Sequence, residues 1–179
     1  DAFVSAGSTG ALLSAATLVT KRIRGIRRAA MAPVVPTGSG RGAVLIDCGA
    51  NAECSPEYLM QFAYMGSYYA EHILGCPEPR VGLLNIGAEP SKGTELQTTV
   101  YLMLEKAKQE GRINFVGNVE ARDAVEGAVD VIVTDGYSGN ILLKTMEGTA
   151  LYVVGEMKKM FKSSLKTKLA ALLMKDQLM

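Results

Sequence analysis

The residues best suited to chemistry sit in short polar stretches that each follow an apolar run. They are Ser5–Gly10, Asp47–Asn51, Asn85–Gly87, Gly117–Glu120 and Asp135–Asn140, with Lys92 and Arg122 close behind two of them. The side chains are hydroxyls, amides, carboxylates and single cations, and glycine lets the backbone come close to a ligand. Such a set suits holding an anion and polarising a carbonyl oxygen. In the first stretch, Gly7 and Gly10 read as a tight turn, and Ser8 and Thr9 add hydroxyls. A helix then starts near Ala11, and the unpaired N–H groups of its first turn favour an anion, phosphate above all.

These stretches need a scaffold that gathers them. Val44–Ile46, Val81–Leu84 and Val131–Val133, within the expected strand Val129–Thr134, are continuous apolar runs, as expected for strands covered on both faces. Ala2–Val4, Met31–Val35 and Ile113–Gly117 complete the expected strands. Ser55-Pro56-Glu57 is a helix start, with a capping serine, proline at the first position and an acid in the first turn. Further helices are expected over about Thr94–Glu110, Ala121–Glu126 and from Ile141 onward. Strand, polar loop and helix alternate, so the fold class is α/β, a three-layer α/β/α arrangement with a mainly parallel sheet. In such sheets the carboxyl ends of the strands line the ligand crevice. The expected organisation is a catalytic core over 1–150 and a basic helical segment over 151–179.

Composition excludes several classes. The 179 residues carry a formal net charge of +1, 48% hydrophobic residues and no Trp, which argues against a nucleic-acid partner. No Walker-type phosphate loop occurs. His72, the single histidine, falls inside an expected helix, so a Ser-His-Asp triad is not expected. Cys48, Cys54 and Cys76 form neither a disulfide framework nor, with His72, a regular zinc spacing. No metal or cofactor is expected. The loop Pro36–Gly42 precedes a strand and opens no helix, so its glycines do not make a dinucleotide fingerprint. The basic run Lys21–Arg28 is placed at the end of the first helix, with Gly25 as the stop.

Taken in order, Ser5–Leu13, Asp47–Asn51, Arg80–Gly87, Lys92–Leu96, Asn114–Arg122 and Val133–Asn140 resemble the bacterial acyl-[acyl carrier protein]:phosphate acyltransferases of phospholipid synthesis. The resemblance implies a fold akin to phosphate acetyltransferases and isocitrate or isopropylmalate dehydrogenases. It also implies a cytoplasmic homodimer, and transfer of an acyl group from acyl carrier protein to inorganic phosphate. Members of that family extend further at both ends, and the chain reads as an internal piece.

On that reading the residues divide as follows. Ser5, Gly7, Ser8, Thr9 and Gly10 form the anion cradle, and Lys92 supplies positive charge. Asn85, Asn118 and Asn140 hydrogen-bond phosphate or carbonyl oxygen. Asp47, Glu120 and Asp135 fix these donors. Asn51, Gly136, Ser138 and Gly139 complete the phosphate-binding edge. Arg122 touches phosphate or pairs with Glu120, the pair being favoured. Lys92, Asn118, Asn140 and Asp135 are the catalytic candidates. A phosphate acetyltransferase-like enzyme using acyl-CoA and a non-catalytic anion-binding or membrane-docking scaffold are the alternatives.

The tail differs in character. Val153, Val154, Met157, Met160, Phe161, Leu165 and Leu169 follow helical spacing, with Lys158, Lys159, Lys162, Lys166, Lys168 and Lys175 around them. A basic amphipathic helix suits an anionic membrane surface, an acidic carrier protein or a dimer mate. The helix after Ser55 is apolar on most sides, which suggests a homodimer contact.

Overall fold

The structure, a computed structural model, describes residues 4–174. The described chain runs α1 (Thr9–Ala15), a π-helical stretch (Ala16–Thr20), β1 (Val34–Val35), β2 (Ala43–Ile46), α2 (Pro56–His72) and β3 (Val81–Leu84). It continues with α3 (Glu95–Gln109), β4 (Phe115–Val119), α4 (Ala121–Glu126), β5 (Val131–Val133), α5 (Gly136–Lys162) and α6 (Leu165–Leu173). Two compact units divide it, Asp1–Leu142 and Leu143–Met179.

In the first unit a 5-stranded sheet has the order β1-β2-β5-β3-β4. The short β1 is antiparallel to β2, and the other strands are parallel, with Ile46 opposite Val133 and Val133 opposite Leu83. The expected α/β class with a mainly parallel sheet is what the chain adopts. α2 and α3 cover one face. Leu59, Phe62, Ala63, Val100 and Leu104 share a buried cluster with Val44, Ile46, Val81, Leu83, Val131 and Val133. Each large side chain so buried contributes roughly 2 kcal/mol of transfer free energy. At Gly66 a Cβ would lie 2.5 Å from a Val131 methyl, so glycine sets how closely α2 approaches β5.

The alternate residues Leu45 and Ile132 point to the other face and are equally inaccessible to solvent, so that face is covered too. The reason lies in the order of the strands. β3 to β4 steps outward, whereas β4 to β5 steps back across β3. Right-handed crossovers in opposite directions put their helices on opposite faces, so α4 lies across the sheet from α2 and α3.

Ser55 Oγ accepts from Tyr58 N–H, as the local sequence leads one to expect, while Thr94, expected inside the helix, instead caps α3 in a box with Gln97. Three segments depart from expectation. α1 begins at Thr9, capped by Ser8, so Gly10 lies in its first turn rather than in a tight loop. The helix stops at Lys21 (φ 67°), so Arg22–Arg28 lie beyond its end, not at a Gly25 stop. Gln61 of α2 holds that stretch by accepting from Arg27 N–H and donating to the Gly25 carbonyl. The expected strand at Ala2–Val4 has residues 1–3 outside the described residues, and Val4 is not in a strand. Finally, β4 runs past Gly117, whose φ of +106° lets the strand continue, and places Asn118 within it.

The second unit carries the rest of α5, then α6. The expected single helix is broken at Ser163–Ser164, where Ser164 caps α6 by accepting from Thr167 N–H. Lys175 lies outside the described residues.

Candidate active site at the carboxyl edge of the sheet

Four parallel strands end on one edge, and the segments following them are Asp47–Asn51, Asp135–Asn140, Asn85–Gly93 and Glu120–Arg122 in spatial order. Adjacent segments bond to each other. Asp47 N–H donates to the Thr134 carbonyl, Gly136 N–H to Asn51, and Asn85 N–H to Val119.

Asp47 is fully buried, and its carboxylate is the centre of the first pair of segments. Oδ1 accepts N–H from Met31 (2.9 Å), Cys48 (2.7 Å) and Ala50 (3.2 Å). Oδ2 accepts from Asn51 N–H (2.7 Å) and Asn51 Nδ2 (2.9 Å). Backbone and amide dipoles thus replace the water that this charge loses. Asn51 also donates to the Ala29 carbonyl at 2.8 Å. Both side chains are thus engaged with protein groups.

The start of α5 is occupied in the same way. Asp135 accepts from Ser138 N–H (2.7 Å) and Ser138 Oγ (2.9 Å), which is N-cap geometry. Gly139 N–H donates to the Asp135 carbonyl. The N–H groups of Gly136, Ser138 and Gly139 therefore all have protein acceptors. A Cβ at Gly139 would stand 1.9 Å from the Asp47 carbonyl oxygen, and one at Gly136 2.5 Å from that of Asn51. These glycines let α5 sit on the Asp47 loop. The backbone that comes closest to them is the protein's own. Asn140 is exposed, with Oδ1 near Gly49.

The second pair of segments is organised by amides. Asn85 Nδ2 donates to the Lys92 carbonyl (3.0 Å), and its Oδ1 accepts from Ile86 N–H (2.8 Å). Asn118 is buried, and its Nδ2 donates to the Glu89 carbonyl (2.8 Å). Lys92 is exposed, and among the described residues its ammonium has no carboxylate within 4.0 Å. Glu120 is half-buried and precedes α4 without capping it through its side chain. Arg122 pairs with Asp123 at 3.1 Å, not with Glu120. That carboxylate is its direct hydrogen-bond partner and raises the Arg122 pKa, while Glu120 acts only at longer range.

Ser5–Gly10 is built differently. Ser5 Oγ accepts from Gly7 N–H (3.1 Å), Ser8 Oγ from Ala11 N–H (3.4 Å). Neither Gly7 nor Gly10 has a positive φ. α1 borders a cavity of about 500 Å³ with Thr9, Leu12 and Leu13 facing Ala29–Met31, the stretch that Asp47 and Asn51 hold. Among the described residues no hydrogen bond links Ser5–Gly10 to Asn85, Lys92 or Asn118.

Other chemistries find little here. Burial pushes the Cys54 thiol up to about 11, against the thiolate a nucleophile needs. Burial likewise raises Cys76. Among the described residues no cluster of three or more His, Cys, Asp or Glu could hold a metal ion.

The sequence reading missed Glu89, whose carbonyl accepts from both Asn118 and Lys92, and Gly87, which borders the Lys92 stem. A backbone acceptor leaves no mark on residue type, although Gly87 ends the polar stretch Asn85–Gly87.

Comparison with known proteins bears on the whole chain. The model of the family described as "Fatty acid synthesis protein" matches residues 1–179. The chain belongs to this family. Its relatives include the phosphate acyltransferase of Bacillus cereus (strain B4264), 50% identical over 179 residues, 100% of this chain and 53% of the relative. That of Exiguobacterium sibiricum is 51% identical over 178 residues, 99% of this chain and 53% of the relative. The chain thus spans about half the length of the curated relatives it matches.

Two solved structures share the fold of this family member. EutD phosphotransacetylase from Staphylococcus aureus has a TM-score of 0.59 at 21% identity, over 75% of this chain and 46% of that one. A phosphotransacetylase from Streptococcus pyogenes has 0.60 at 16% identity, over 82% and 49%. The expected phosphate acetyltransferase-like fold is therefore the one observed.

Proposed function

We propose that this chain is the central part of an enzyme that transfers an acyl group from acyl carrier protein to inorganic phosphate, for phospholipid synthesis. The observation that carries the reading is the family match over the full chain, together with polar segments ordered along one sheet edge. A phosphate oxygen attacks the thioester carbonyl carbon, and an oxyanion forms. The C–S bond then breaks, giving acyl phosphate and a thiolate that takes a proton from solvent. Phosphate is already nucleophilic, so positioning and charge matter more than a protein base. Lys92 and Asn140, exposed at that edge, are the groups available to phosphate and to the oxyanion. Asp47, Asn51 and Asp135 hold the edge together, and the Thr9 end of α1 flanks it through Ala29–Met31.

The test uses the full-length protein. Thiol release is followed with acyl carrier protein and CoA thioesters of the same acyl chain, with and without phosphate. Phosphate-dependent release, faster from the carrier protein, is expected. Release from acyl-CoA alone would support the acetyltransferase-like alternative, and no phosphate-dependent release from either would overturn the enzymatic reading.

Three further assignments belong to the proposal: a catalytic core over 1–150, a basic helical segment over 151–179 that meets membrane peripherally, and a homodimer. Exposed Leu151, Val153, Val154, Met157, Met160 and Leu169 lie among the lysines of α5 and α6. Among the described residues no helix is long and apolar enough to cross a membrane. Flotation with anionic vesicles but not neutral ones is the expected result, and scattering mass on the full-length protein checks the dimer.

A further inference from the structure

We infer that Asn85, Asn118 and Gly87 are positioning residues that act through Lys92. This rests on the proposed reaction with phosphate. The loop between β3 and α3 has no regular structure to hold it, yet the Lys92 backbone is fixed on both sides. Its N–H donates to the Glu89 carbonyl at 3.1 Å, and its carbonyl accepts from Asn85 Nδ2 at 3.0 Å. The same Glu89 carbonyl accepts from Asn118 Nδ2 at 2.8 Å, so a side chain of the neighbouring strand anchors the loop at the atom that also holds Lys92. A carbonyl oxygen has two lone pairs and accommodates both donors.

Side-chain packing continues the arrangement. A Cβ at Gly87 would lie 3.0 Å from Lys92 Cγ and 2.9 Å from Glu89 Oε2. The missing side chain therefore leaves the path along which the lysine stem runs. At Gly93, φ is +94° and a Cβ would stand 2.7 Å from Asn85 Oδ1, so the turn after Lys92 also needs glycine. Among the described residues Lys92, like Arg24, Lys106 and Lys158, has no carboxylate within 4.0 Å, and its backbone is the one pinned beside Asn85 and Asn118. A fixed backbone and an exposed side chain suit Lys92 to meeting an external anion. Asn85 and Asn118 thus serve the anion by holding Lys92.

The experiment has two arms on the full-length protein. Hydrogen exchange across residues 86–93 is compared for the unmodified protein, Asn85→Ala and Asn118→Ala. Faster exchange confined to this loop is expected, and unchanged exchange overturns the clamp. In the second arm, KM for inorganic phosphate and for the acyl donor is measured for Asn85→Ala, Gly87→Ala and Lys92→Ala, alone and combined. Each single variant should raise KM for phosphate roughly tenfold and leave that for the acyl donor unchanged. In the Lys92→Ala background, Asn85→Ala and Gly87→Ala should add nothing, because the group they position is gone. Additive effects, or equal rises in both KM values, overturn the inference. Gly87→Ala needs only flexible side chains to move, so it keeps the test decisive if buried Asn118→Ala fails to fold. An unmodified protein without phosphate-dependent turnover removes the reaction and the role assigned to Lys92, while the exchange arm still judges the clamp.

Discussion

The Asp47 loop and the Lys92 loop stand on one edge of one sheet and use their polar groups in opposite ways. Around Asp47 a buried carboxylate is surrounded by protein N–H groups, and α5 is fitted onto the loop through glycines. Around Lys92 the amides fix backbone only, and the charge is left at the surface. Residue types common in ligand sites thus divide into those that build the edge and those that face outward. What separates the groups is burial and the number of protein partners, not chemistry.

Substitutions sharpen the contrast in order of expected size. Asp47→Ala leaves several N–H donors without an acceptor and should cost about 4 kcal/mol in urea unfolding. A loss under about 1 kcal/mol would mean that the loop holds itself. Gly139→Ala forces the first turn of α5 off the Asp47 carbonyl and should cost about 3 kcal/mol. Asp135→Ala removes only a cap and should cost about 1 kcal/mol. Lys92→Ala should change stability by less than about 0.5 kcal/mol while weakening phosphate binding, which inverts the pattern of Asp47.

pH offers an independent reference at the opposite edge. There burial pushes the Asp130 carboxyl up, but hydrogen bonds and charge from Arg80 outweigh it and hold the pKa below the usual carboxylate range. A carboxylate with a depressed folded pKa contributes stability above its unfolded pKa, and this is lost as pH falls through the folded value. Unfolding free energy of Asp130→Asn should therefore be lower than that of the unmodified protein at pH 7, by about 2 kcal/mol, with the gap closing below about pH 4. A gap constant down to pH 2 would contradict the ion pair.

The sequence made local features plain. Ser55 was legible as a cap because a cap depends on neighbours three residues away. The buried runs at β2, β3 and β5 stood out because both faces are covered. Relations distant in the chain did not show. Gly136 and Gly139 owe their identity to carbonyls at Asn51 and Asp47, and the strand order that brings these together is not written in any one segment. Gly117 looked like a strand end but carries β4 onward at positive φ, which moved Asn118 from loop to strand. Arg122 took the adjacent carboxylate of Asp123, a choice between near neighbours that composition does not make.

At the start of β3, Arg80 donates to both carboxylate oxygens of Asp130 and to the Gly127 carbonyl, tying β3 to the entry of β5 and the end of α4. This rivet lies at the amino ends of the strands. Alignment of β3 with β5 is thereby secured without help from the opposite rim.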